Sequence, residues 1–365
     1  MKFNETLNDI RLYEAGKPIE LVVREFGIEP SKVVKLASNE NPLGTPPSVA
    51  KVLSENATKA HLYPDDSMYE LKDSLAKKYE VDSKEIIIGA GSDQVLEFIS
   101  RSLLSSNDSV LMSKVTFAMY EVYAKQVGAK IIRTPSFVHK VDEFITYYKE
   151  YKPKIVYLCI PNNPIGDCLT KKEAFEIIDT IDSDTLVVVD CAYMEYAAYK
   201  NSDYFIAPKD TLKYDNVIYL GTFSKAYGLG GMRVGYGIAK SYIIEQIAKM
   251  RPPFNISSLS LAGAIEALKA EDFLEKSLKL HSEQIVRYED FARNNNIEYI
   301  DSYTNFITYM FDDSYNSTII ADALLKQGVI IRNLASYGLN AIRITIGTQM
   351  QNDRFFEEIE LLIKR

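Results

Sequence analysis

The stretch Leu186-Val187-Val188-Val189-Asp190 places four consecutive apolar side chains before a carboxylate. A run that is apolar at every position is typical of a strand buried on both faces, as in a parallel sheet covered by helices. Longer amphipathic segments separate this run from similar ones at residues 85–89, 110–112, 130–132, 155–160 and 217–221. The alternation predicts an α/β fold with a mainly parallel central sheet covered by helices.

The remaining sequence indicates a second, smaller α+β domain. Helical patterns run from about residue 258 to 293, and alternating apolar runs follow at 304–311, 329–332 and 342–346. A chain of 365 residues also favours two domains over one core. We therefore predict a large domain at residues 30–250 and a small domain formed by residues 1–29 together with 251–365.

Composition narrows the class of ligand. The formal net charge is −8, which disfavours binding to nucleic acid or to an anionic membrane. Three cysteines without a CxxC pair and three scattered histidines predict neither a disulfide framework nor a metal site. The N-terminal residues lack the apolar stretch of a signal peptide, and no run of 18 apolar residues occurs, so we expect a cytoplasmic protein.

Polar groups follow the predicted strands at the ends where α/β proteins bind ligands. Asp190 ends an apolar strand, where a carboxylate is costly without a cation. Its partner is a helix N-terminus, a nearby lysine or a protonated pyridine nitrogen, which the carboxylate would keep cationic. Lys225 closes the segment Thr222-Phe223-Ser224-Lys225 after another strand, and a lysine with a lowered pKa is a nucleophile.

Two further segments suit an anion. Gly89-Ala90-Gly91-Ser92-Asp93 is a strand-to-helix turn with free backbone N–H groups. Gly228-Leu229-Gly230-Gly231-Met232-Arg233 combines close backbone approach with a guanidinium that can hold a phosphate at two points. The lysine precedes these glycines, so the segment is not a Walker loop. Pro161-Asn162-Asn163-Pro164 follows a third strand, as a plain turn or as a donor to a ring oxygen.

Taken together, these motifs resemble the pyridoxal-phosphate (PLP)-dependent aminotransferases of fold type I over nearly the whole chain. The order and spacing that match are those of Asn163, Asp190 with Tyr193, Lys225 and Arg233. Within that group the chain is most similar to the histidinol-phosphate aminotransferase family, through residues 38–44, 62–65, 89–93 and the pairing of 330–332 with 342–347. It departs from many relatives at Val115, where they have proline. A second departure is at residues 159–166, where many have Asn-Pro-Asn-Asn-Pro-Thr-Gly and this chain has Cys159-Ile160-Pro161-Asn162-Asn163-Pro164-Ile165-Gly166.

The resemblance implies a role for each site residue. Lys225 would form a Schiff base with PLP, and Asp190 would pair with the ring nitrogen, with Tyr193 as the third catalytic residue. The other implied cofactor contacts are Asn163 with Tyr193 at the 3-oxygen, Phe117 stacked on the ring, and, around the phosphate, Ser92, Asp93, Thr222, Ser224, Arg233 and Tyr63 from the second subunit of a homodimer. The implied substrate-binding residues are Tyr13, Asn41, Arg332 and Arg343.

The activity that the resemblance implies is transfer of an amino group from histidinol phosphate to 2-oxoglutarate, with ping-pong kinetics, in histidine biosynthesis. An aromatic or broad-specificity amino-acid aminotransferase is the nearest alternative, since it shares the chemistry and differs in the side-chain pocket. A phosphothreonine-type decarboxylase shares the architecture. A regulatory ligand sensor and an α/β protein without PLP are the remaining classes, and the sequence has no basic helix-turn-helix signal for the former.

Overall fold

A seven-stranded sheet forms the centre of the protein. The structure, a computed structural model, describes residues 1–3, 5–10 and 18–363. The strand order is β2-β8-β7-β6-β5-β3-β4, and β8 alone runs against the other six. The strands of the described residues are β1 Val34–Lys35, β2 Ile86–Gly89, β3 Ser109–Met112, β4 Lys130–Arg133, β5 Ile155–Cys159, β6 Leu186–Asp190, β7 Val217–Thr222, β8 Gly235–Ile238, β9 Glu298–Tyr299, β10 Phe306–Met310, β11 Val329–Ile330, β12 Arg332–Asn333 and β13 Ala341–Thr345.

Helices cover both faces of this sheet, which confirms the predicted α/β class. The α-helices of the described residues are α1 Ile19–Phe26, α2 Pro47–Asn56, α3 Tyr69–Tyr79, α4 Ser92–Leu103, α5 Ala118–Gln126, α6 Val141–Tyr151, α7 Lys171–Asp179, α8 Met194–Lys200, α9 Pro208–Thr211, α10 Ser241–Ala248, α11 Ser258–Ala267, α12 Glu271–Asn294, α13 Ser317–Lys326 and α14 Gln349–Ile363. The predicted helical region 258–293 is therefore two helices, and the second begins with two acidic residues, Glu271 and Asp272, that suit a helix N-terminus.

Alternation along the strands explains why both faces are buried. Val187 and Val189 of β6 pack in one apolar cluster, and Leu186 and Val188 of the same strand pack in the cluster on the opposite face. Successive strand side chains point to opposite faces, so a strand that is apolar throughout supplies both clusters. The uninterrupted valine run is thus explained by its position in the middle of the sheet.

The C-terminal part of the chain builds two smaller sheets. Four strands lie in the order β12-β13-β10-β9, and β1 pairs in parallel with β11 in a separate two-stranded sheet. The prediction of one strand at 329–332 is wrong, because the chain leaves one sheet after Ile330 and enters the other at Arg332. A third apolar cluster packs on these strands, with members from β1, β10, β13, α12 and α14.

No helix among the described residues has both the length and the apolar character needed to cross a membrane. The same residues contain no cluster of three or more potential metal-binding side chains.

Candidate active site

The carboxyl ends of neighbouring strands bring the predicted site residues together. Asp190 is the last residue of β6, Lys225 lies three residues beyond β7, and Asn163 lies four residues beyond β5. Because β5, β6 and β7 are parallel neighbours, the residues that follow them meet at one edge of the sheet. β2 points the same way and adds the turn into α4.

Asp190 is a buried carboxyl with neutral partners. Its side chain is 4% exposed; Oδ2 accepts a hydrogen bond from the Tyr120 hydroxyl at 2.7 Å, and Oδ1 accepts one from the backbone N–H of Ala192 at 3.3 Å. Burial raises its pKa to about 6, although both hydrogen bonds act in the opposite direction. Neither of these partners carries a positive charge, so a cationic group on a bound ligand would stabilise the buried carboxylate.

Lys225 lies at the same edge of the sheet as Asp190. Its Nζ donates to the Ser38 carbonyl at 3.4 Å and lies 5.7 Å from the centre of the Tyr193 ring. Burial, followed by repulsion from Arg343 and Arg233, lowers its pKa to about 8. At pH 7 about a tenth of this amine is therefore neutral, far more than in an ordinary lysine, and the neutral form is the one that acts as a nucleophile or proton acceptor.

A cradle of donors lies at the amino end of α4. Gly91 has φ +79° and opens the helix, so that the N–H groups of its first turn, beginning at Ser92, face the cleft edge. Arg233 has φ +52° and donates to the Ala90 carbonyl at 3.4 Å and to Ser224 Oγ at 3.5 Å. Thr222 Oγ1 donates to the same Ser224 hydroxyl at 3.0 Å. This combination of helix N-terminus, hydroxyls and guanidinium suits a phosphate.

Tyr193 and Asn163 are both fixed by partners from distant parts of the chain. Asn39 Nδ2 donates to the Tyr193 hydroxyl at 2.8 Å, from a left-handed backbone with φ +56°. Arg343 donates to Asn163 Oδ1 at 2.6 Å and to the Ala37 carbonyl at 2.8 Å. The segment before α2 and the strand β13 therefore orient two residues that follow strands of the large sheet.

One cleft collects ten of the predicted residues. It is lined by Ser92, Asp93, Phe117, Asn163, Asp190, Tyr193, Thr222, Ser224, Lys225 and Arg233 together with Gly91, Cys159 and Ala192. Sequence reasoning missed Cys159 as a lining residue, and it missed Tyr120 and Asn39, which bond to residues that line the cleft. The apolar run through Cys159 gave no sign that its last side chain faces the cleft.

The other predicted residues that the structure describes lie outside this lining. Tyr63 is 82% exposed and stacks on Phe254, with ring centres 4.7 Å apart. Asn41 donates to the Ala226 carbonyl at 3.0 Å and to Ser277 Oγ at 2.7 Å, so it holds the backbone beside Lys225. Arg332 is the register partner of Arg343 across β12 and β13. Tyr13 lies outside the described residues.

The chain matches a protein family described as aminotransferase class I and II over residues 31–359. It is 67% identical over 363 residues to the histidinol-phosphate aminotransferase of Sulfurovum sp. (strain NBC37-1), with 100% of each chain covered. It is 56% identical over 358 residues to that of Sulfurimonas denitrificans, with 98% of each covered. A crystal structure of histidinol-phosphate aminotransferase from Sinorhizobium meliloti in complex with pyridoxal-5'-phosphate has the same fold, with a TM-score of 0.90 at 24% identity over 100% of this chain and 98% of that one.

The sheet, the cleft at its edge and the family match together define a class I and II aminotransferase with the expected fold type I. Two enzymes with the same name are more than half identical to this chain over nearly its full length, and this similarity narrows the class to one family. The chain belongs to the histidinol-phosphate aminotransferase family.

Proposed function

We propose that the protein is a PLP-dependent aminotransferase that transfers the amino group of histidinol phosphate to 2-oxoglutarate in histidine biosynthesis. The observation that carries the proposal is the convergence, in one cleft, of a buried carboxyl, a lysine of lowered pKa and an anion cradle. The assignment of the substrate rests on the names of the relatives, one of which is 67% identical to this chain over its full length.

The residues of the cleft suit PLP. Asp190 offers a buried carboxylate to the ring nitrogen, and the cradle of Ser92, Thr222, Ser224 and Arg233 offers donors to the phosphate. Bound PLP supplies an electrophilic carbon and a cationic ring that withdraws electrons from the substrate carbon. Phe117 lines the same cleft and offers its ring as a stacking surface.

The chain's own groups then move a proton and hold the substrate. The Lys225 amine would take the proton from the substrate carbon that bears the amino group and deliver it to a different carbon, C4′ of the cofactor, aided by its proximity. Arg332 and Arg343 are adjacent across β12 and β13 and present positive charge to the phosphate or carboxylate of the substrate. Tyr193 and Asn163, held by Asn39 and Arg343, would bind the ring at its 3-oxygen.

We also propose a cytoplasmic homodimer in which Tyr63 contributes to the partner's phosphate cradle. Tyr63 is exposed, yet its position is fixed by the Phe254 ring, and Arg251 holds Asp66 at 2.7 and 2.8 Å beside it. The Phe254 N–H also donates to Asp66. An exposed aromatic side chain on a braced loop is typical of an interface.

The test is a set of half-reactions followed by absorbance, with histidinol phosphate, phenylalanine and glutamate offered separately to the purified PLP-loaded protein. We expect rapid conversion of the cofactor by histidinol phosphate and by glutamate, and slow conversion by phenylalanine. Phenylalanine as the fastest donor would favour the aromatic aminotransferase instead. Release of carbon dioxide from a phosphorylated amino acid would favour the decarboxylase.

A further inference from the structure

Tyr120 is buried directly behind the cleft and does not line it. It lies in the first turn of α5, its side chain is 0% exposed, and its hydroxyl donates to Asp190 Oδ2 at 2.7 Å. Phe117, three residues earlier, does line the cleft. One short segment thus supplies both a surface of the cleft and a contact to the carboxyl behind it.

Two aromatic contacts fix the Tyr120 hydroxyl in place. The ring stacks on Tyr157 of β5, with centres 4.5 Å apart and planes 6° apart. Phe117 meets it edge-on, with centres 5.6 Å apart. Both rings restrict rotation of the Tyr120 side chain, so its hydroxyl points to Asp190 without a further loss of conformational freedom on ligand binding.

The hydrogen bond matters because Asp190 has few partners. Burial opposes the charged carboxylate, and the Tyr120 hydroxyl is the strongest of the contacts that favour it. The backbone N–H of Ala192 binds the other oxygen at the longer distance of 3.3 Å. The phenol therefore fixes one oxygen, and this sets the plane in which the second oxygen is presented.

We propose that Tyr120 is a positioning residue for transamination, whose hydroxyl keeps Asp190 ionised and oriented toward the ring nitrogen of the cofactor. The inference rests on the proposed PLP function. A purely structural role, in which the phenol only satisfies a buried group, is the competing explanation. The two explanations differ in one outcome: only a positioning role predicts that loss of the hydroxyl weakens the interaction of Asp190 with the ring nitrogen of the cofactor.

The chain offers a matched pair of variants. Tyr120→Phe removes the hydroxyl that reaches Asp190 and keeps the stacked ring. Tyr157→Phe removes a buried hydroxyl from the other ring of the same stack, where it bonds to Ser100 Oγ at 3.1 Å and not to Asp190. Each variant deletes one buried phenolic oxygen.

The measurement is the affinity of the cofactor-free protein for PLP and for an analogue in which the ring nitrogen is replaced by C–H. The unchanged protein should prefer PLP, because only PLP offers Asp190 a protonated nitrogen. Tyr120→Phe should reduce that preference about tenfold, the usual effect of losing a hydrogen bond to a charged group. Tyr157→Phe should keep the preference, and Tyr120→4-aminophenylalanine, which retains a donor, should restore most of it.

An unchanged preference in Tyr120→Phe would overturn the inference and leave the proposed function intact. If the unchanged protein binds PLP and the analogue equally well, or binds neither of them, both the inference and the proposed function would be overturned. If Tyr120→Phe folds poorly, the comparison with 4-aminophenylalanine decides. A donor-bearing variant that folds but loses the preference would contradict the assigned role.

Discussion

At the residue scale, burial acts on the two titrating groups of the cleft in the same sense, because it penalises whichever form is charged. It lowers the pKa of Lys225 to about 8 and raises that of Asp190 to about 6. Their ionisation is therefore easily changed near neutral pH. A cationic ring would stabilise the charged form of Asp190 further by placing a counterion against it.

Lys225→Met should stabilise the cofactor-free protein near pH 7. The folded chain releases the Lys225 proton near pH 8 and the unfolded chain near 10.5, so stability of the unchanged protein rises with pH between these values. The advantage of the variant should be at most about 3 kcal/mol and shrink over that interval. Urea unfolding from pH 7 to pH 10 measures it. The exposed Lys276→Met controls for loss of a lysine, and a difference that is constant with pH would contradict the prediction.

Arg332→Ala should affect the two substrates unequally. If Arg332 binds the phosphate of histidinol phosphate, loss of the guanidinium should raise the KM for this substrate about tenfold or more and change the KM for 2-oxoglutarate much less. Steady-state kinetics with each substrate varied measure both values. Arg343→Ala is the comparison: it also releases Asn163, so both substrates should suffer. Equal losses in Arg332→Ala would exclude a phosphate-specific role.

The sequence predicted the site residues that directly follow strands. It did not predict the residues from distant segments that form hydrogen bonds to them. Asp190 and Lys225 were found because a polar group directly after an apolar run is unusual. Tyr120 contacts Asp190 across 70 positions and Asn39 contacts Tyr193 across 154, and neither residue carries a local signal of that contact. Tyr120 is one of 25 tyrosines, so its type alone was uninformative.

At the element scale, the turn between β2 and α4 depends on Gly91. Its φ of +79° disfavours a side chain, and a Cβ there would lie 2.7 Å from Nη2 of Arg233. Gly91→Ala should therefore weaken PLP binding to the cofactor-free protein by about tenfold or more, because both the turn and Arg233 must shift. Fluorescence titration measures this affinity.

Gly231→Ala is the matched control for that prediction. It lies in the glycine-rich segment that precedes Arg233, and a Cβ there meets nothing within 4 Å. Its affinity for PLP should stay within about twofold of the unchanged protein, in keeping with a substitution that creates no clash. A similar loss in both variants would mean that the cradle is not sensitive to Gly91 in particular.

Strands could be predicted from the sequence where an uninterrupted apolar run coincided with a position buried on both faces of the sheet. The apolar runs of β5, β6 and β7 reflect burial on both faces, and the prediction placed them within one residue of their bounds. β8 was missed because Gly235-Tyr236-Gly237-Ile238 alternates small and large residues and contains two glycines, which are uncommon in strands. Gly235 is required there because a Cβ would lie 2.1 Å from the Ser92 nitrogen.

At the scale of the whole molecule, we propose that residues 30–250 form one domain and residues 1–29 with 251–365 form the other, with the cleft controlled from both. Arg343 and Thr345 of β13 reach Asn163 and Asn39, and Asn39 in turn holds Tyr193. Movement of the C-terminal sheet would therefore be transmitted to the groups that grip the cofactor ring.

Hybrid dimers should test the proposed contribution of Tyr63. Lys225→Ala and Tyr63→Phe chains are each impaired, but a hybrid of the two contains one site with Lys225 from one chain and Tyr63 from the other. Refolding the mixture should therefore recover, at one site in each hybrid, the PLP affinity that the Tyr63→Phe dimer lacks. Titration of the mixture against each pure dimer measures the recovery. Affinities that equal the average of the pure dimers would show that Tyr63 serves its own chain.

The exposure of Tyr63 has a consequence for how the protein responds to its own abundance. If a second copy supplies the phosphate contact as proposed, retention of PLP should depend on protein concentration by mass action. Dilution should then separate the subunits and release cofactor, and added PLP should drive the subunits back together by the reciprocal linkage. In such a dimer, the supply of PLP and the concentration of the protein would each raise the amount of active enzyme.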